Sequence, residues 1–372
     1  MQIQKHLLLA PAPGTQRELL SLHYGTPGSG PKAYIQASLH ADELPGMLTA
    51  HHLRQQLDAL EAAGRLQGEI VLVPMANPIG LSQWLLQGPQ GRFELLSGEN
   101  FNRHYPDQIA QAAAAAEPEL NQDAAHNVRV LRRELQKAVA GAPVATELQS
   151  LRRTLMALSC DADIVLDLHC DAQAVMHLYT ETPCWEQCEP LQRYLGSPLT
   201  LLATDAGDNP FDEACSQVWW KWDKQFAGHF PIPQACLAVT VELRGQADVT
   251  HELASRDAQN ILDFLAYRGL ISGAVPPMPE ALGDARPLAG CMSVKSPVAG
   301  VLVYLREPGA TVKQGEVIAH VIDPVSASCT ELTAPVDGLM FARECLRFIT
   351  AGASAAKVAG REALRTGKLL GA

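Results

Sequence analysis

The sequence predicts an α/β protein, a mixed and mainly parallel sheet flanked by helices, followed by a small all-β unit. Three observations predict this. Continuous apolar runs at 33–39, 69–76, 163–169 and 237–243 are separated by helix-patterned stretches, as expected of strands buried on both faces of a parallel sheet. The chain of 372 residues is 47% hydrophobic and 19% charged, a globular composition with room for two or three domains. Beyond a Pro-rich stretch near residue 280 the pattern changes to short strands and Gly turns that repeat one motif.

Residues 1–32 hold a first strand candidate and then Pro- and Gly-rich turns. The strand at 33–39 opens into Ser38-Leu39-His40-Ala41-Asp42-Glu43-Leu44-Pro45-Gly46. A helix to about Ala63 follows, with apolar positions at Met47, Leu48, Leu53, Leu57 and Leu60. His40 and Glu43 therefore lie just past the carboxyl end of a strand, where open α/β sheets bind their ligands. An imidazole and a carboxylate three residues apart can turn toward one zinc ion. Alone the pair is weak. Twelve histidines give about one His-x-x-Glu by composition, and a solvated surface loop explains it equally well.

The second apolar strand, 69–76, ends at Asn77-Pro78. Residues 80–107 read as a long Gly-rich loop, and loops of that length inside a compact domain are usually functional. It carries Arg92 and the pair Asn102-Arg103. Arginine suits a carboxylate through two parallel hydrogen bonds, although one isolated arginine is more often a surface residue. Residues 108–158 read as helices. The strand at 163–169 ends in His169, a third candidate ligand, and Asp167 lies on the same strand face, able to orient an imidazole. Trp219, Trp220 and Trp222 fit the core better than a pocket. The strand at 237–243 carries Glu242 near its end, a carboxylate costly to bury unless it works on something charged or protonated. A helix at 252–267 closes this part.

These features divide the chain into a hydrolase unit at 1–273, a Pro-rich linker at 274–287 and a β-rich unit at 288–372. Within the last, Ser296-Pro-Val-Ala-Gly and Ala334-Pro-Val-Asp-Gly each precede an apolar run. A net charge of -11 argues against nucleic acid or an acidic membrane as a partner. No apolar run is long enough for an export signal or a membrane span. Nine scattered cysteines read as reduced thiols of a cytoplasmic protein.

His40-x-x-Glu43, a long spacer, His169, the Asn102-Arg103 pair and the late Glu242 together resemble the succinylglutamate desuccinylase/aspartoacylase family, over roughly residues 30–270. That resemblance implies a zinc-carboxypeptidase-like sheet and one zinc ion per chain, held by His40, Glu43 and His169. It implies Glu242 as general base and acid, Arg92 polarising the scissile carbonyl, and Asn102 and Arg103 holding a substrate carboxylate. The implied activity is removal of an acyl group from an N-acyl amino acid or similar small N-acyl amine. A metallocarboxypeptidase using the same site on peptides is the alternative, and a non-catalytic scaffold built on the β-rich unit is a further one. A homo-oligomer is compatible with either enzyme. One departure is Ala41, where the family typically has Gly, which puts the loop geometry in question. The region at about 288–360 resembles a biotinyl/lipoyl-like barrel-sandwich domain. No Lys lies between Lys313 and Lys357, so it is expected to be unmodified.

Overall fold

The structure, a computed structural model, describes residues 1–370. Nine strands form the main sheet: β1 (Gln2–Leu7), β2 (Glu18–Gly25), β3 (Lys32–Ala37), β4 (Glu69–Val73), β5 (Ile164–Asp171), β6 (His177–Glu181), β7 (Leu199–Ala203), β8 (Leu237–Gly245) and β9 (Asp284–Pro287). Their order is β1-β2-β4-β3-β5-β8-β6-β7-β9. The centre, β4-β3-β5-β8, is parallel throughout and is built from the four apolar runs. The β6–β7 and β7–β9 pairs are parallel as well, while β1–β2, β2–β4 and β8–β6 are antiparallel.

Eight helices accompany the sheet: α1 (Pro45–Ala62), α2 (Pro78–Leu81), α3 (Ile109–Ala116), α4 (Ala124–Gly141), α5 (Glu147–Ser159), α6 (Trp185–Leu195), α7 (Phe211–Gln225) and α8 (His251–Tyr267). One face packs Ile35, Leu166 and Val239 against α1, α6 and α8. The other packs Tyr34, Val165 and Ala238 against α3, α4, α5 and α7, with Trp219 and Trp222 buried there as expected for core residues. A fully buried Ile, Leu or Val among these contributes about 1.5–3 kcal/mol. Side chains of Asp123, Thr146 and Thr250 accept first-turn N–H groups of α4, α5 and α8, each worth about 1 kcal/mol. Burial on both faces is why the central strands read as unbroken apolar runs. The period of two then puts Asp167, His169 and Glu242 on the α7 face.

The β-rich unit contains β10 (Cys291–Lys295), β11 (Gly300–Tyr304), β12 (Ala310–Val312), β13 (Val317–Ile322), β14 (Cys329–Thr333), β15 (Gly338–Arg343), β16 (Phe348–Ile349) and β17 (Ser354–Ala359). Two antiparallel sheets, β10-β17-β15-β12 and β14-β13-β11-β16, close on Val312, Ile318, Val321, Met340 and Val358. Lys313 sits in an exposed turn, 2.9 Å from Asp337. The unit is fastened to the main sheet. Gln173–Ala174, just past β5, pairs with β15, and Leu199 and Leu201 of β7 share a core with Leu288 and Phe341. The last four residues of the stretch expected as a linker form β9, the edge strand of the main sheet, because they pair with β7. No described helix is long and apolar enough to cross a membrane.

Candidate active site

The loop after β3 leaves the sheet through Ser38, whose φ of 64° is left-handed. It turns His40 and Glu43 back over the carboxyl end of β5. The loop is clamped by the long segment that follows α2. Gly91 O accepts the Ala41 N–H at 2.9 Å. A Cβ on Gly91 would lie 2.1 Å from Asp42 N, so only glycine permits this approach. The Ala41 methyl faces Gly80, where a Cβ would come within 2.8 Å of it. Space for the extra methyl is thus provided by the neighbour, and the loop brings its ligand candidates together without a glycine at 41.

His40, Glu43 and His169 are all buried, and their donor atoms lie within 4.8 Å of one another. His40 Nδ1 is 2.9 Å from Glu43 Oε1, and His169 Nδ1 is 2.8 Å from Glu43 Oε2. The far ring nitrogens are tied off. His40 Nε2 donates to Asn100 Oδ1 and His169 Nε2 to Asp167 Oδ2, each at 2.9 Å. With those protons committed, both Nδ1 lone pairs face a carboxylate, an arrangement of acceptors that calls for a shared proton or a cation. Two imidazoles and one carboxylate at this spacing suit a zinc ion, with ligand bonds of about 2.0–2.2 Å and an open fourth position.

Electrostatics follow the same contacts. Burial and the Arg92 charge hold His40 below its usual pKa, outweighing Glu43. Burial opposes charge on His169, but Asp167 and Glu43 outweigh it and hold that imidazole well above its usual range. Burial would raise Glu43, yet the two histidines bring it far below the carboxylate range.

The orienting network runs deeper than the sequence indicated. Asp167 Oδ1 accepts from Gln36 of β3, and Gln36 accepts from the Tyr34 hydroxyl. Asn100 also accepts the Asn102 N–H, and Arg152 of α5 donates to the Asn100 carbonyl. Asp167 was legible as a same-face neighbour of His169. Asn100 and Gln36 were not, because their role depends on a long loop and a neighbouring strand.

Glu242 lies beside His169 in the β5–β8 register. Its Oε2 is buried with no hydrogen-bond partner. Burial, reinforced by the Glu43 charge, pushes its pKa up to about 8. Arg92 enters from the solvent side with 46% of its side chain exposed, its Nη1 3.3 Å from His40 Nδ1 and 3.5 Å from Glu43 Oε1. Arg103 is buried, and burial lowers its pKa. Its Nη1 donates to the Asn102 carbonyl at 2.6 Å. Asn102 Oδ1 accepts the Phe211 N–H at the head of α7, which leaves its NH2 as the end able to donate to a ligand.

All seven residues line one cavity of about 510 Å³, within the range of small-molecule sites. The sequence did not indicate the rest of its wall. Asp212 and Glu213 open α7, and burial raises them to about 6 and about 9. Lys357 of β17 reaches across to Asp171, with Nζ 2.5 Å from Oδ2. Leu288, Leu369 and Leu370 complete the outer side.

The succinylglutamate desuccinylase/aspartoacylase catalytic domain matches residues 29–268. The chain belongs to this family. Three solved structures extend the likeness over both units. A succinylglutamate desuccinylase/aspartoacylase family protein from Shewanella amazonensis SB2B is 27% identical with a TM-score of 0.85, covering 96% of this chain and 98% of that one. One from Shewanella frigidimarina is 24% identical with a TM-score of 0.84, covering 96% of each chain. The product-bound ectoine utilization protein EutE (DoeB) from Ruegeria pomeroyi is 16% identical with a TM-score of 0.68, covering 96% of this chain and 94% of that one. Those under 25% identity share the fold. Among curated proteins no relative matches.

Proposed function

We propose that this chain is a zinc-dependent amidohydrolase that removes the acyl group from an N-acyl amino acid or a similar small N-acyl amine. The observation that carries this reading is the convergence of His40, Glu43 and His169 beside Glu242, whose buried Oε2 has no hydrogen-bond partner, in one cavity with Arg92 and Arg103. His40, Glu43 and His169 would hold the ion. A zinc ion held there would supply a Lewis acid for the amide carbonyl and would lower the pKa of a bound water to about 7.

The protein's own groups do the rest. Glu242 takes the proton of the attacking water and delivers a proton to the leaving amine. Arg92 donates to the carbonyl oxygen as negative charge develops on it. Arg103, with the Asn102 NH2, holds a substrate carboxylate and fixes the amide beside Glu242. The products are a carboxylic acid and a free amine.

The β-rich unit and the last described residues cover the outer side of the cavity. That enclosure favours a small amine over the metallocarboxypeptidase reading, in which an extended peptide would have to pass the same wall. A scaffold role leaves the donor cluster and Glu242 without work. The hydrolase unit at 1–273 and the β-rich unit at 288–372, unmodified, belong to the same reading. So does a cytoplasmic location, to which nine cysteines free of disulfides are suited.

Amine release from succinyl, acetyl and formyl amino acids, with short peptides alongside, tests this on zinc-loaded protein. Release from an acyl amino acid that a chelator abolishes is the expected result. Cleavage of peptides alone would overturn it in favour of the carboxypeptidase.

A further inference from the structure

The cavity has two unlike ends. The inner end carries the metal cluster, Arg92 and Arg103. Another stretch of the wall is apolar, formed by Leu201 and Ala203 of β7, Leu288, and Leu369 and Leu370, which pack together. The last two belong to a strap, residues 361–370, that leaves β17 and returns to the hydrolase unit. Ala289 O accepts the N–H groups of Leu364 and Arg365 at 3.0 and 2.9 Å. Ala206 O accepts those of Leu369 and Leu370 at 3.0 and 3.3 Å. Lys368 pairs with Asp208.

The loop that receives the strap also supports the Arg103 segment. His104 N donates to Asp208 O at 2.7 Å, and Asn209 Nδ2 to Tyr105 O at 2.6 Å. One short loop therefore fixes both the carboxylate anchor and the apolar wall.

The charges on the outer side do not suit a second anion. Lys357 is neutralised by Asp171, and the Arg365 guanidinium donates to the carbonyls of Cys291 and Leu369. Asp212, Glu213 and Glu344 line the same cavity and offer a second carboxylate no cationic partner.

We propose that Leu369 and Leu370, with Leu201, Ala203 and Leu288, form an apolar subsite, and that the substrate is an N-acyl amino acid with a single carboxylate and an apolar side chain. This rests on the deacylase reading above. It adds that the strap selects the side chain, by burying it against leucines that offer an acidic one no partner.

The test compares N-acetyl-leucine and N-acetyl-methionine with N-acetyl-aspartate and N-acetyl-glutamate on the zinc-loaded full chain. Turnover and calorimetric binding are both measured. The expected kcat/KM is at least about tenfold higher for the apolar pair. Leu369→Ser/Leu370→Ser should abolish that preference, with metal content retained, while Leu369→Met/Leu370→Met keeps it. Preference for the acidic pair, or a serine variant with the preference intact, overturns the subsite and leaves the deacylase reading standing. If neither pair is hydrolysed, binding decides. N-acetyl-leucine binding that the serine variant loses supports the subsite, and the deacylase reading falls only if the succinyl and formyl derivatives are not hydrolysed either. Absence of binding overturns the subsite too.

Discussion

The two ends of the cavity are built by different means. At the candidate metal end every polar atom of the His40, Glu43 and His169 cluster is held by another side chain, from Tyr34 through Gln36 and Asp167 to His169, and from Asn100 to His40. Strands and a clamped loop carry that network, so each side chain is fixed within hydrogen-bond tolerance. At the outer end apolar side chains meet across two units, and a short strap held by backbone hydrogen bonds supplies two of them. One end is specified by direction and charge, the other by shape and the exclusion of water. The first suits bond-breaking chemistry, which needs groups aimed at atoms. The second suits selection, which needs only a fitting surface.

Substitutions can break this contrast, beginning with the largest expected effect. Glu242→Gln keeps the side-chain shape and leaves the candidate metal cluster untouched but removes the proposed proton carrier, so kcat should fall by about 10²–10⁴-fold with zinc content unchanged. Steady-state rates and metal analysis on the same preparation check this, and an active variant refutes the assignment.

The seam between the units should respond to pH. His177 is fully buried against Phe341 of β15, with ring centroids 4.9 Å apart, and burial lowers its pKa to about 4. The unfolded chain takes up this proton below about pH 6.5, while the folded chain resists until about 4. Stability should therefore fall as pH drops through that window, by about 3 kcal/mol from this group alone. Urea midpoints at pH 7 and pH 5 measure the slope, and His177→Phe should flatten it.

Removing an orienting partner should act on the metal and leave the fold intact. Asp167→Asn and Asn100→Ala are each expected to weaken zinc binding by about 10–100-fold. Competition with a chelator gives the affinity, and unchanged affinity in both variants would show that the network does not aim the ligands. At the outer end, Lys368→Ala should cost only about 0–1 kcal/mol, because the pair with Asp208 is half in solvent. A much larger loss of thermal stability would mean that the strap is held by charge and not by its backbone bonds.

Much of the metal end was legible because each candidate terminates a strongly patterned strand or sits one turn beyond it. His40, Glu43, His169 and Glu242 could be found as polar residues at the ends of apolar runs, and the runs themselves form the parallel centre of the sheet. Asn100 stayed hidden since nothing in a loop of little periodicity shows which amide will meet an imidazole 60 residues away. The stretch before residue 288 read as a linker from its prolines, yet four of its residues pair with β7 once that edge is available.

By itself the sequence determined the alternation of strands and helices, and with it the side of the sheet on which the reactive groups emerge. Period and burial are local properties of the chain, and a strand buried on both faces announces itself. Only the tertiary structure decided that the β-rich unit closes the cavity, that Lys357 meets Asp171 across 186 positions, and that Leu369 and Leu370 lie over the outer wall. Those contacts join residues with no common periodicity. They exist because two surfaces fit, and fit is a property of surfaces in space that no stretch of sequence carries alone.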